Sequence, residues 1–439
     1  MIEIVPVGGY REVGKNCTAI RVDNEVILID MGLHLQHYIE YTQDDDDADL
    51  SLNKLIEIKA IPDISLIEDW IPLVKAICIS HAHLDHVGAA PFLASRFKCP
   101  IHGTPYTIEV LKALIEDKHS NVPNKLVTHE MNSMFKVSED IKIEFISVTH
   151  SVVQAALIAI HTKYGTIVYA NDFKLDNQPT LGLKSNIGRM KELKNVKALI
   201  LDSLYAHKPI KTPSESVARE LLREVMISTN SEGKAMIVST FSSHLARIKS
   251  IMEFSKMLKR KVVFLGRSLD KYIMAGERCG IVNFSKEGKI IKYRHQVQKF
   301  LKNCKHPEDY VFVVTGHQGE PKSVLGKMIF QNYFRFKKED IVIFSSNIIP
   351  AGDTIRNREA MEAELKHKKV RIFRDIHVSG HGAREDQRDL INLIRPEILL
   401  PSHSETAVTE QFLELAEEVG YRENKDVFLL RNGHRLELK

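Results

Sequence analysis

Ser80-His81-Ala82-His83-Leu84-Asp85-His86-Val87-Gly88 is the stretch on which the reading of this chain turns. The residues before it, Val74-Lys75-Ala76-Ile77-Cys78-Ile79, form an apolar, β-branched run of buried-strand length. The residues after it, Val87 to Leu93, begin a predicted helix. Between them a turn presents three histidines and a carboxylate within six residues. Imidazole with carboxylate, and no thiolate, suits Zn²⁺ or a similar divalent ion. His81 and His83 stand two apart, whereas Asp85 and His86 are adjacent, so the donors fall into two sets. Two sets suggest two neighbouring ions. An ordinary polar loop at a strand end is the plainer alternative, but it rarely gathers four such donors at this spacing.

With 439 residues the chain can bury a large core and is expected to hold two domains. A hydrophobic content of 44% and a charged content of 27% are those of a soluble globular protein. No apolar run reaches the length of a membrane span, and Met1-Ile2-Glu3-Ile4-Val5-Pro6-Val7 lacks the basic start of a signal peptide. The expectation is a cytoplasmic protein with no membrane partner. Cys17, Cys78, Cys99, Cys279 and Cys304 are odd in number and form no C-x-x-C pair, which argues against a disulfide framework or a thiolate zinc site. A net charge of +4 neither demands nor excludes a nucleic-acid partner.

Working outward, Ile2–Val7, Cys17–Val22 and Glu25–Ile29 read as antiparallel strands, the last closing on Asp30. Asp44–Asp47 reads as a surface loop, since four adjacent carboxylates repel and cannot all turn inward. Further strands are predicted at 141–148, ending in His150, at 155–160, at 166–170, ending in Asp172, and at 198–201, ending in Asp202. Asp30, His81, His150, Asp172 and Asp202 thus share one kind of position, which is how a site at one edge of stacked sheets would be written. From Thr212 the texture changes. Thr212-Pro213-Ser214-Glu215 is read as a capping box with proline at the first helical position. Strand then alternates with helix up to residue 345, which predicts a second, mainly parallel α/β domain. The division expected is 1–207, an inserted domain over 208–368, and 369–439, with Arg371–His377 and Glu397–Leu400 completing the first domain's sheet. A last helix runs from Thr406 to Val419 and stops at Gly420.

Three turns follow strands with exposed backbone N–H groups that can cradle anions: Thr315-Gly316-His317-Gln318-Gly319-Glu320-Pro321, Phe344-Ser345-Ser346-Asn347 and His377-Val378-Ser379-Gly380-His381-Gly382. With the histidine cluster, with Gly8-Gly9-Tyr10-Arg11-Glu12-Val13-Gly14-Lys15-Asn16 and with Gly266-Arg267-Ser268, they make the whole chain resemble the β-CASP branch of the metallo-β-lactamase superfamily, and within it ribonuclease J. That resemblance implies an α/β fold, a metallo-β-lactamase αββα sandwich with an inserted β-CASP domain. It is to the short, archaeal-type form that lacks the C-terminal domain of many bacterial members.

Carried over residue by residue, the resemblance implies two divalent ions, Zn²⁺ or Mn²⁺. His81, His83 and His150 would hold one, Asp85, His86 and His403 the other, and Asp172 would bridge them. Asp30 would orient a ligand histidine from behind. Asp85 and Asp172 would position the attacking hydroxide, and His381, held by Asp202, would protonate the leaving oxygen. Ser345, Ser346, His377, Ser379 and Gly380 would bind a terminal 5′-phosphate, with Lys174, Arg267 and Arg384 as candidate phosphate contacts. The implied activity is 5′→3′ exonucleolytic decay of single-stranded RNA to mononucleotides, favouring 5′-monophosphate ends, by a homodimer or larger homo-oligomer. An endoribonuclease and an inactive RNA-binding paralogue are the alternatives. Two departures stand out: Asn171 and Ser404 occupy positions where the family usually has glycine.

Overall fold

The computed structural model describes residues 1–42, 50–348 and 353–438, so the acidic run Asp44–Asp47 lies outside the described residues. Two sheets carry the first part of the chain. One has the order Leu436–Leu438, Ile2–Gly8, Cys17–Val22, Glu25–Ile29, Val74–Cys78, Ile101–Gly103, Leu126–Thr128. The other has the order Ile398–Ser402, Val196–Asp202, Gly165–Ala170, Ala156–Thr162, Lys142–Ser147, Ser133–Lys136.

Period-two alternation decides which side chains meet between them. Ile2, Ile4, Ile27 and Ile29 of the first sheet pack with Phe145, Ile158, Ile167, Tyr169 and Ile200 of the second in one buried cluster. Val5, Val7, Val26 and Leu28 face the opposite way, into a core that continues under the inserted domain. Helices Arg384–Ile394 and Thr406–Glu418 cover the outer face of the second sheet through Leu390, Ile391, Phe412 and Leu415. The layers are those of an αββα sandwich. Among the described residues, no helix is long and apolar enough to cross a membrane.

The inserted sheet is parallel throughout, in the order Gly288–Ile291, Lys261–Leu265, Tyr310–Val314, Met236–Ser239, Ile341–Phe344, Arg371–Phe373. Its last member corrects the sequence-based expectation. Arg371–Phe373 pairs with Ile341–Phe344 and not with the first domain's sheets, so of the two expected segments only Ile398–Ser402 joins the sandwich, beside Val196–Asp202, and Leu436–Leu438 joins it beside Ile2–Gly8. A three-residue strand has too little pattern to declare its partner. The capping box read at Thr212–Glu215 does not form, and Pro213 lies before the N-cap and not at the first helical position. Ser214 is the N-cap, accepting from Ser216 N–H, and the helix is Glu215–Ser228. Thr212 instead donates its hydroxyl to His381 O and its N–H to Asp386, which ties the start of the insertion to its return.

Arg247 pins the insertion from inside. It is fully buried, forks onto Glu215 at 2.7 and 2.9 Å, and donates Nη1 to Ser345 Oγ and to Ser345 O and Ile376 O. Removing it would leave a buried carboxylate uncompensated and two carbonyls short of a donor. Arg247→Met should therefore cost about 3–5 kcal/mol in denaturant unfolding. The double variant Arg247→Met/Glu215→Leu should recover much of that loss, because it removes the stranded charge as well.

Candidate metal centre and active site

The strand Val74–Cys78 delivers the chain to Ser80, and a one-turn helix, Leu84–Val87, carries Asp85 and His86. The predicted single helix from Val87 is broken at Gly88, and Ala90–Leu93 is a second short piece. Backbone bonds fasten this loop to its neighbours: Asn16 N–H to Asp85 O, Met31 N–H to His86 O, and Leu33 N–H to Leu84 O. The approach is so close that any Cβ at Gly32 would overlap the Asp85 carbonyl.

On this scaffold His81, His83, His150 and Asp172 bring ligand-type atoms within 4.8 Å of one another, and Asp85, His86, Asp172 and His403 do the same. Asp172 is common to both groups. Its Oδ2 lies 3.5 Å from His81 Nε2, 3.2 Å from His86 Nε2 and 3.5 Å from His150 Nε2, while Oδ1 lies 3.7 Å from His403 Nε2. His83 Nδ1 stands 3.0 Å from His150 Nε2. Behind the donors sit fixed acceptors. Asp30 Oδ2 is 2.7 Å from His86 Nδ1, Gly380 O is 2.8 Å from His150 Nδ1, and Ser80 Oγ is 3.0 Å from His81 Nδ1. A proton held on Nδ1 of His81 and of His150 leaves the Nε2 of each as a lone pair facing inward.

The cluster's own electrostatics ask for a cation. Burial and the neighbouring His81 charge push His83 down to about 3, and burial with His83 drives His150 well below its usual range. Burial opposes charge on His86 too, but Asp172, Asp30 and Asp85 outweigh it and raise His86. His81 Nε2 and Asp172 Oδ1 are buried with no hydrogen-bond partner. His81, His83 and His150 are held neutral, the carboxylates of Asp85 and Asp172 ionised, and the carboxylates that favour a proton on His86 would equally favour a divalent ion in its place, so the donor set fits one.

Three residues here hold left-handed backbone without being glycine: Asp30 at φ 61°, Asp172 at φ 53° and His403 at φ 56°. Each ends a strand and turns its side chain into the cluster. Such conformations cost on the order of 1–3 kcal/mol apiece, and persist only where the surroundings impose them.

His381 closes the group. Its Nδ1 lies 2.7 Å from Asp202 Oδ2 and its Nε2 3.8 Å from Asp172 Oδ2. Burial works against its charge, but Asp172 and Asp202 prevail and push it up to about 9. Ser404, at the second departure from the family pattern, is not idle: its hydroxyl bonds Ser203 and Thr409 and so joins the ends of two adjacent strands.

The expected phosphate contacts divide. Ser345 is inward-facing and used up, donating to Ile376 O and accepting from Arg247. Lys174 is buried with Nζ on Pro213 O and Ser379 O, and Arg384 is held by Glu418; both are structural rather than free cations. Ser379 Oγ accepts from His381 N–H and Gly380 O from His150, so these two serve the histidines. By contrast Ser346 Oγ, His377 Nδ1 and both ring nitrogens of His317 are buried and unpartnered. His317 packs edge-on to Phe241 at 4.0 Å. Sequence reasoning singled out no function for Asn16, Ser80 or Tyr169. Tyr169 left a trace there, a phenol in an otherwise aliphatic inward row that must find a partner; it donates to Asp30.

Fold and site together define a hydrolase of the metallo-β-lactamase superfamily carrying an inserted β-CASP domain. Residues 10–184 match the family model of the metallo-beta-lactamase superfamily. Residues 233–361 match ribonuclease J, beta-CASP domain, and 368–430 match the Zn-dependent metallo-hydrolase RNA specificity domain. The chain is 40% identical to a ribonuclease J of Methanocaldococcus jannaschii, covering 99% of this chain and 98% of the relative. It is 39% identical to a ribonuclease J of Pyrococcus abyssi, covering 100% and 97%. A protein of unknown function from Enterococcus faecalis, solved as a crystal structure, has the same fold, with a TM-score of 0.65 at 18% identity over 99% of both chains. The chain belongs to the ribonuclease J family of metal-dependent nucleases.

Because Asp172 faces both groups, Asp172→Asn should lower bound metal more than either His83→Ala or His403→Ala. Elemental analysis after chelation and reloading with Zn²⁺ or Mn²⁺ measures this. Equal metal content in all three variants and the parent would overturn the site.

Proposed function

We propose that the chain is a 5′→3′ exoribonuclease of the cytoplasm that degrades single-stranded RNA from 5′-monophosphate ends and releases mononucleotides. In this reading His81, His83 and His150 hold one divalent ion, Asp85, His86 and His403 a second, and Asp172 both, with zinc or manganese as the metal. When bound, the ions supply Lewis acidity and neutralise charge at the phosphorus. The carboxylates of Asp85 and Asp172 accept hydrogen bonds from the attacking water and so aim it. His381 carries its proton on Nε2, toward the cluster, because Asp202 holds Nδ1, and it delivers that proton to the leaving 3′-oxygen.

The observation that carries the 5′-end preference is the set of unpartnered buried polar atoms after strands of the insertion: Ser346 Oγ, His377 Nδ1 and the His317 ring nitrogens. Buried polar atoms without partners are rare in a folded chain, and a bound group is one way to supply the partner. An oxyanion would accept from the Ser346 hydroxyl and from an N–H of each imidazole, the second ring nitrogen of a neutral His317 being an acceptor. His377 to His381 is also one short irregular stretch that joins His377 to the candidate acid. Ser345 drops out of the pocket and Ser346 remains.

Two outcomes test this. His381→Ala should slow hydrolysis by about 10²–10⁴-fold while metal content stays unchanged; full activity would remove His381 from the mechanism. On RNAs that differ only in a 5′-monophosphate, triphosphate or hydroxyl, the monophosphate should be consumed fastest. Ser346→Ala should shrink that advantage about tenfold, the loss of one charge-assisted hydrogen bond. Equal rates on all three ends, with internal cuts appearing first, would favour the endonuclease reading.

A further inference from the structure

Two carboxamides sit where the halves of the metal-type cluster join. Asn16 immediately precedes the strand Cys17–Val22 of one sheet, and Asn171 immediately follows Gly165–Ala170 of the other. Both are buried. Asn171 Nδ2 donates to Asn16 Oδ1 at 2.9 Å and to Tyr169 Oη at 3.0 Å, while Asn171 Oδ1 accepts from Ser402 Oγ at 3.2 Å. Asn16 Nδ2 donates to Asp85 O at 3.1 Å and lies 3.0 Å from His86 Nε2 and 2.8 Å from His403 Nδ1. Tyr169 passes the chain on to Asp30, the acceptor behind His86. Neither amide can rotate without leaving a buried donor or acceptor unpaired.

We infer that Asn171, acting through Asn16, is a positioning residue for the Asp85–His86–His403 half of the cluster and sets that half's affinity for its ion. This rests on the two-ion reading above. The donors of that half come from two different sheets, Asp85 and His86 from one and His403 from the other. Sheet packing is apolar and non-directional, so it cannot by itself hold donors from both sheets at ligand distances. The amide pair spans the seam and is directional. The His81–His83–His150 half is fastened by Ser80 on His81 and Gly380 O on His150; it shares Asp30 with the other half, since Ser80 donates to that carboxylate too, but among the described residues no hydrogen bond runs from either amide to His81, His83 or His150, whereas Asn16 reaches His86 and His403 directly. The effect is therefore selective. A glycine at 171 would leave Asn16 Oδ1 without this donor.

Calorimetric titration of the metal-free protein with Zn²⁺, repeated with Mn²⁺, reads each step directly. The parent should show two binding steps. Asn171→Ala, with Asn171→Gly as a second variant should the first fold poorly, should weaken one step by about 10–100-fold and leave the other unchanged. Asn16→Ala should weaken the same step. The double variant should be no worse than Asn16→Ala alone, because one residue acts through the other. Two unchanged steps, additive losses, or equal weakening of both steps with a lower melting temperature of the metal-free protein would each overturn the inference. A single step in the parent would instead overturn the two-ion reading, and this with it.

Discussion

A carboxylate removed from water is the constraint on which the rest of the structure depends. Asp172 is buried at the end of Gly165–Ala170, and several kcal/mol of lost hydration must be offset by what surrounds it. His86 and His381, both raised by it, point Nε2 at its Oδ2 from 3.2 and 3.8 Å, and the neutral His81 and His150 stand at 3.5 Å, where a divalent ion would supply the rest. Those imidazoles come from loops of both sheets. The carboxylate is tolerable only when the sandwich is stacked in one register, so the site and the fold support each other.

The surrounding backbone bears the strain of that convergence. Asp30, Asp172 and His403 all turn through left-handed conformations at strand ends, where glycine would be easier. Two of them are fastened through their backbone N–H groups: Asp30 to Cys78 O on the neighbouring strand, and His403 to Gly9 O at the end of a strand of the other sheet. The Gly8–Asn16 stretch thus clamps both His403 and Asp85, which explains why a glycine-rich segment far from the histidines in sequence is part of the centre.

The insertion adds a second surface to the same centre. Its parallel sheet points the carboxyl ends of Met236–Ser239, Tyr310–Val314 and Ile341–Phe344 the same way, and open α/β sheets present ligand sites at that edge. Arg247 is spent on holding that edge together and is no phosphate contact, as are Lys174 and Arg384 elsewhere. Buried cations here are structural, and the atoms left free are hydroxyl and imidazole.

The sequence by itself determined the metal-type donors and the class of fold. His81, His83, Asp85 and His86 are close in sequence, and local spacing alone declares them; the strand patterns at 2–7, 17–22 and 166–170 follow from alternation that any half-buried strand must obey. His150, Asp172 and His403 were reachable through strand ends and family resemblance, because the chemistry demands further donors. What only the tertiary structure decided is which polar groups are consumed and which are left over. Ser345 and Ser346 are neighbours with the same side chain, yet one is locked by Arg247 and the other is unpartnered. Arg371–Phe373 is three residues long and took its partner from whichever sheet edge lay beside it. Asn171 and Ser404 looked like departures from a pattern and are hydrogen-bonded connections. Hydrophobic periodicity encodes which face of an element is buried. Hydrogen-bond satisfaction depends on groups hundreds of residues apart meeting in space, and no local pattern carries that.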